Sequence, residues 1–142
     1  LWDVSTGQCL KILQGHTGWV TSVACSAQAP AANSRDSPNL LASGSTDATV
    51  KLWNVSTGEC VKTFQGHTHW IRSVAFCPQG KILASSSEDE TVKLWDISTG
   101  ECIRTLRSKK PYEGMNVTGV TGLTVAAIAS LKALGAVEHP EE

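Results

Sequence analysis

The chain has 142 residues, one domain's worth, and its 12 Lys+Arg against 13 Asp+Glu leave a net charge of −1. No strong field draws in nucleic acid or an anionic membrane surface. With 41% hydrophobic and 18% charged residues the composition is globular rather than disordered, and no apolar run approaches the roughly 18 residues of a membrane span.

The chain starts at Leu1 without a basic and apolar leader, which reads as a cut end in a protein that is not exported. Five Cys, an odd number without export signals, predict reduced thiols and a cytoplasmic setting. Apolar residues recur with period two, as where Val50 and Leu52 alternate with Lys51 and Trp53, and this spacing predicts strands. In chain order they are expected at 1–4, 9–13, 19–25, 40–45, 49–55, 60–64, 70–76, 81–86, 91–97 and 102–106, ten in all. Turn chemistry separates them, with Ser-Thr-Gly at 56–58 and 98–100 and Asp47 or Asp89 among small polar residues. After residue 107 the period stops. A helix is expected near 125–134, with Thr124 as N-cap, Leu123 and Ile128 as a staple, Gly135 as the stop, and Ile128, Leu131 and Leu134 as its apolar face.

The strands belong to a repeat. LWDVSTGQCLKILQGHTGWVTSVA from Leu1 returns as LWNVSTGECVKTFQGHTHWIRSVA from Leu52 and as LWDISTGECIRTL from Leu94. Trp2, Trp53 and Trp95 lie 51 and 42 residues apart, so the basic period is 42 and the first full copy carries an insertion. Val23 to Ala42 takes 19 steps where Val74 to Ala84 takes 10, which places the extra residues within 26–38. SAQAPAANSRDSP has the composition of an exposed loop, and a solvated insertion without a role is the plain expectation for it.

The Gly-His pairs (Gly15-His16, Gly66-His67), the strand-ending Trp2-Asp3, Trp53-Asn54 and Trp95-Asp96, and the 42-residue period resemble the WD-repeat β-propeller family. The resemblance covers residues 1–107 and implies an all-β partial propeller of about two and a half four-stranded blades, followed by a short C-terminal helix. The half blade would span 1–13, the full blades 14–64 and 65–107, and the tail 108–142. A ring needs roughly four to eight blades, so the chain is expected to be the C-terminal part of a longer array, or a piece that needs partners. The tail is similar to the segment that closes bacterial multidomain WD-repeat signalling proteins.

The resemblance also implies a buried hydrogen-bonded tetrad in each full blade: His16, Ser43, Asp47 and Trp53, then His67, Ser85, Asp89 and Trp95. Ser45 and Ser87 share the strand face with the nearer serines and leave that assignment open. An architectural role is expected, because a catalytic site has no reason to recur once per repeat. His69 and His139 fall outside the tetrads, and no Cys-x-x-Cys or His-x-x-x-His spacing occurs, so neither metal nor cofactor is expected. Cys9, Cys60 and Cys102 share one phase and read as small apolar filler.

Binding loops are expected on one rim, at Gly18, Trp19 and Thr46 in one blade and His69, Trp70 and Glu88 in the next. For Trp19 and Trp70 a packing role and a contact role are both open. The expected function is a non-enzymatic interaction scaffold for a protein or peptide, with further blades of a parent chain or self-association as other partners, and with neither nucleic acid nor membrane. The alternative is the sensor end of a nucleotide-switch signalling protein whose NTPase domain lies elsewhere, since no G-x-x-x-x-G-K-S/T loop occurs in this chain. A hydrolase ranks third and an inert remnant fourth.

Overall fold

The computed structural model describes residues 1–26 and 39–139. They fall into two compact units, Leu1–Arg107 and Ser108–Glu142. The first holds two antiparallel four-stranded meanders. One is β1 (Val20–Cys25), β2 (Leu40–Ser45), β3 (Val50–Asn54) and β4 (Cys60–Phe64), and the other is β5 (Ile71–Phe76), β6 (Ile82–Ser87), β7 (Thr91–Asp96) and β8 (Cys102–Arg107). The registers coincide: Leu41 pairs with Trp53 and Leu83 with Trp95. The fold is therefore all-β, two consecutive blades of a partial propeller with a short C-terminal helix.

The turns explain why strands stop where they do. After β3 the Asn54 Oδ1 accepts from the backbone N–H groups of Ser56 and Thr57 at 2.9 and 3.2 Å. Asp96 does the same for Ser98 and Thr99 at 2.7 and 2.9 Å. Asn therefore serves this turn as well as Asp, because only the side-chain carbonyl oxygen is used.

The core sits at the seam between the sheets. Ala42, Val50, Leu52 and Phe64 of the first meet Ile71, Val74, Leu83 and Trp95 of the second. Gly44 makes the close approach possible: a Cβ there would lie 2.4 Å from Ile71 Cγ2. Side chains also reach across to backbone. The Thr21 hydroxyl lies 2.6 Å from the Ile71 carbonyl oxygen, and Ser22 Oγ accepts from the Val74 N–H at 3.2 Å.

Among the described residues the ten expected strands become eight. Residues 1–13 form a hairpin with one antiparallel bridge, Trp2 to Cys9, rather than two strands. A two-stranded ribbon is marginal without a third strand or a face to pack on. Here Trp2, Val4, Leu10 and Ile12 stay exposed, and a cavity of about 620 Å³ separates the hairpin from Val20, Val23 and Leu41 of the first blade. Residues 27–38, almost the whole inserted segment, lie outside the described residues. Its stems are joined by the Ser26 N–H donating to the Leu40 carbonyl at 2.9 Å, at the end of β1 opposite Trp19.

In the second unit, α1 (Val125–Ala133) begins at Thr124, whose Oγ1 accepts from the Ala127 N–H at 3.1 Å. Gly135 follows at φ 106°, a conformation that glycine adopts without penalty. The expected apolar face is only half covered: Ile128 and Leu131 are half-buried, and Leu134 is exposed. The buried residues of this unit are Val117 and Ala136 instead, drawn together by the parallel bridge between Asn116 and Val137.

Candidate functional site

In each blade the turn between the second and third strands carries an Asp that reaches back under the preceding Gly-His loop. Asp47 Oδ2 lies 2.8 Å from His16 Nδ1, and His16 Nε2 lies 2.8 Å from Ser43 Oγ. The Trp53 indole N–H donates to that same oxygen at 2.8 Å. The second blade repeats the set, with Asp89 to His67 at 2.7 Å, His67 to Ser85 at 2.8 Å, and Trp95 to Ser85 at 2.8 Å. One protonation pattern satisfies every member: Trp donates to Ser, Ser to His Nε2, and His Nδ1–H to the carboxylate. Among the described residues no buried side-chain polar atom lacks a partner.

The choice left open between serines is decided by register. Ser43 and Ser85 take the indole and imidazole, whereas Ser45 and Ser87 accept from the Asp47 and Asp89 N–H groups, each at 3.1 Å. Two members escaped the sequence reading. Thr49 and Thr91 donate their hydroxyls to Asp47 and Asp89 at 2.7 and 2.6 Å. A Thr two residues after each Asp was the available signal.

Burial alone pushes the Asp47 and Asp89 carboxyls up. Bonds from the Thr49 or Thr91 hydroxyl, the His16 or His67 ring and the backbone N–H of Thr17 or Thr68 outweigh it and hold both well below the usual carboxylate range. A depressed folded pKa means stability that is complete above the unfolded value of about 3.9 and is lost as pH falls below it. Thermal melts of the chain should therefore hold steady from neutrality to about pH 4 and fall steeply below. The Asp47→Asn/Asp89→Asn variant melts lower at neutral pH and loses less on acidification. Parallel curves for the two proteins would contradict this origin of acid sensitivity.

The histidine side chains are only 5% and 1% exposed, although His16, Ser43 and Trp53 of the first set form part of the wall of the cavity of about 620 Å³ beside the hairpin. The rim is different. Trp19 is 83% exposed although its backbone is fixed, donating to Thr46 Oγ1 at 2.8 Å and accepting from the Thr46 N–H at 2.9 Å. Gly18 is needed beside it, because a Cβ would lie 2.8 Å from the Asp47 backbone nitrogen. At the matching place in the second blade, the Trp70 carbonyl accepts from the Glu88 N–H at 3.0 Å and the indole is 45% exposed.

Arg72, which the sequence reading passed over, pairs with Glu88 and sets its guanidinium carbon 5.8 Å from the Trp70 ring centroid. His69 Nδ1 approaches the same carboxylate at 3.8 Å. The structure therefore brings Gly18, Trp19 and Thr46 together, and His69, Trp70 and Glu88 together, each set at the entry of its blade's first strand. Trp19 and Trp70 are not core residues. Neither are Cys9, Cys60 and Cys102, which are exposed rather than filler. Strand β8 is exposed along its whole length and Val61 beside Cys60 is 52% exposed, so the outermost position offers these thiols nothing to pack into.

Among the described residues no group of three or more His, Cys, Asp or Glu is placed to hold a metal ion, and no helix is long and apolar enough to cross a membrane. The family described as WD domain, G-beta repeat matches residues 7–54 and 58–96. The chain belongs to the WD-repeat family. Similar proteins include Nuclear distribution protein PAC1 of Coccidioides posadasii, 46% identical over 72 residues that make up 51% of this chain and 15% of that protein. Protein Notchless of Drosophila melanogaster is 37% identical over 75 residues, 53% of this chain and 13% of that protein. The PAC1 protein of Fusarium vanettenii is 31% identical over 137 residues, covering 57% of this chain and 30% of that protein. The chain thus spans less than a third of the length of these relatives. The WD-repeat match ends at residue 96, before the tail.

Proposed function

We propose that the chain is a non-enzymatic interaction scaffold whose rim binds a protein or peptide, with Trp19 and Trp70 as anchors. Gly18 and Thr46 set the loop that presents Trp19, while His69, Glu88 and Arg72 make the charged border beside Trp70. The observation that carries this reading is the exposure of Trp19 on a backbone already fixed by its two bonds to Thr46. A large rigid aromatic presented this way loses little entropy on contact and is the usual kind of interface hot spot. The tetrads serve architecture on this reading, since both nitrogens of each imidazole are engaged inside the blade, by Asp47 and Ser43 in the first and by Asp89 and Ser85 in the second. Reduced, free cysteines fit a cytoplasmic setting. The sensor-lobe alternative draws on the tail alone, which the family match does not reach.

Panning a displayed peptide library against the chain tests the reading. Selected peptides should lose at least tenfold in affinity, about 1.4 kcal/mol, toward the Trp19→Ala/Trp70→Ala variant, while its circular dichroism melt stays close to that of the parent. Peptides that bind both proteins equally would place recognition elsewhere.

A further inference from the structure

The two ends of the rim differ in chemistry. Beside Trp19 the first blade carries Gly18, Thr21 and Thr46, none of them charged, whereas the second blade has His69, Arg72 and Glu88 at those places. Thr21 spends its hydroxyl inside the fold, on the Ile71 carbonyl at 2.6 Å. Arg72 turns outward instead. It sits where the pairing of β5 with β6 shifts register between Ile71 and Ser73, and such a bulge re-aims the side chain it carries. Its guanidinium reaches Glu88 Oε1 and lies 5.8 Å from the centre of the Trp70 ring.

The second blade holds this group in place. The His69 carbonyl accepts from the Ser87 hydroxyl at 3.0 Å and the Trp70 carbonyl from the Glu88 N–H at 3.0 Å, so both residues are pinned at the backbone. Glu88 then turns both carboxylate oxygens to its neighbours: Oε1 takes Arg72, and Oε2 faces His69 Nδ1 at 3.8 Å. Its capacity to accept is committed. What the group still offers is donors. The guanidinium has N–H groups to spare, and beyond Glu88 it meets no other acceptor among the described residues. The Arg72 and His69 side chains are 56% and 65% exposed, against 33% for Glu88. Outward N–H groups beside a half-exposed indole suit an anion carried on an apolar stem.

We infer that the Trp70 end of the rim takes the carboxylate of an acidic peptide, an Asp or Glu side chain whose oxygens accept from the outward N–H groups of Arg72 and whose stem lies on the Trp70 ring. This gives the chemistry of one half of the rim, and it rests on the rim being the binding surface. Glu88 is a positioning residue here, holding the guanidinium beside the indole with its free edge presented for a paired contact. A basic side chain finds no uncommitted acceptor in the group and meets Arg72 first. A single negative charge suits the place better than the nearly double charge of a phosphate, because Glu88 already balances Arg72 and Glu90 stands exposed in the same turn.

Fluorescence anisotropy with peptides panned from a displayed library against the whole chain tests this. Those that depend on Trp19 and Trp70 should carry an Asp or Glu whose change to Asn or Gln costs about tenfold in affinity. Toward Arg72→Thr, which gives the second blade the residue of the first, the acidic peptide should lose about as much, while its amide version binds variant and parent alike. The double-mutant cycle then assigns the loss to the Arg72–carboxylate pair. Phosphoserine in the acid's place should bind no tighter than the acid. Tryptophan-dependent peptides that lack an acid, that bind Arg72→Thr as well as the parent, or that improve when the acid becomes Lys or phosphoserine overturn the inference and leave the rim reading standing. Peptides indifferent to Trp19→Ala/Trp70→Ala, or a library that returns none, overturn both. If circular dichroism shows Arg72→Thr to be unfolded, Arg72→Gln takes its place in the same cycle.

Discussion

Replacing Trp95 with alanine lowers stability by about 3–5 kcal/mol, a large part of the about 5–15 kcal/mol that holds an ordinary domain together. The indole is 1% exposed, lies edge-on to His67 at 6.0 Å and tilted to Phe64 at 5.6 Å, and its N–H is one of two polar neighbours of Ser85 Oγ. Truncation therefore opens a cavity on the seam and removes one link of the chain of donors that ends on Asp89. Trp95→Phe separates these effects, because it keeps most of the ring contact and removes only the N–H, and it should cost about 1–3 kcal/mol. Urea unfolding followed by circular dichroism measures both. Equal losses for the two variants would mean that the hydrogen bond, rather than the volume, dominates.

Gly44→Val is the second large effect, with an expected cost of about 1–3 kcal/mol or more from overpacking. The new Cβ would sit 2.4 Å from Ile71 Cγ2 and 3.1 Å from Ile71 Cβ and Val74 Cγ1. Ile71 is fully buried and β-branched, so it cannot swing aside. The sheets must part, which strains the Thr21 and Ser22 bonds across the seam. Removing the obstacle should recover part of the loss: Gly44→Val/Ile71→Ala is expected to be more stable than the sum of its single changes predicts. Additive costs would show that Gly44 matters for some reason other than this contact.

How much of this could be read beforehand varied with the kind of signal. The two sheets were legible because Trp, Gly-His and Asp return at fixed offsets, and the period-two alternation around Val50 and Val92 marked those segments as strands. The tetrad partners were legible as residue types, but the choice of Ser43 over Ser45 needed the register that pairs Leu41 with Trp53. Thr49 and Thr91 were missed because a Thr after a turn Asp is common, and only its return at the same offset in both copies marks it.

The hairpin was overread. Its sequence copies a complete blade's outer half, yet strand formation also needs inner strands to pair with, and local pattern says nothing of those. The exposed cysteines were misjudged for a related reason: their phase was plain, but whether a phase faces packing or water depends on what lies outside the sheet. Arg72 stands where the first blade has Thr21, so looking for what the copies share passed over it.

The Thr21 and Ser22 hydroxyls do more than add two bonds. Each engages the main chain of β5 rather than a side chain, and backbone positions recur at fixed steps along a strand. Sliding one sheet lengthwise against the other would break both at once. They thus act as a vernier between the sheets, holding β1 and β5 at one fixed setting along their length.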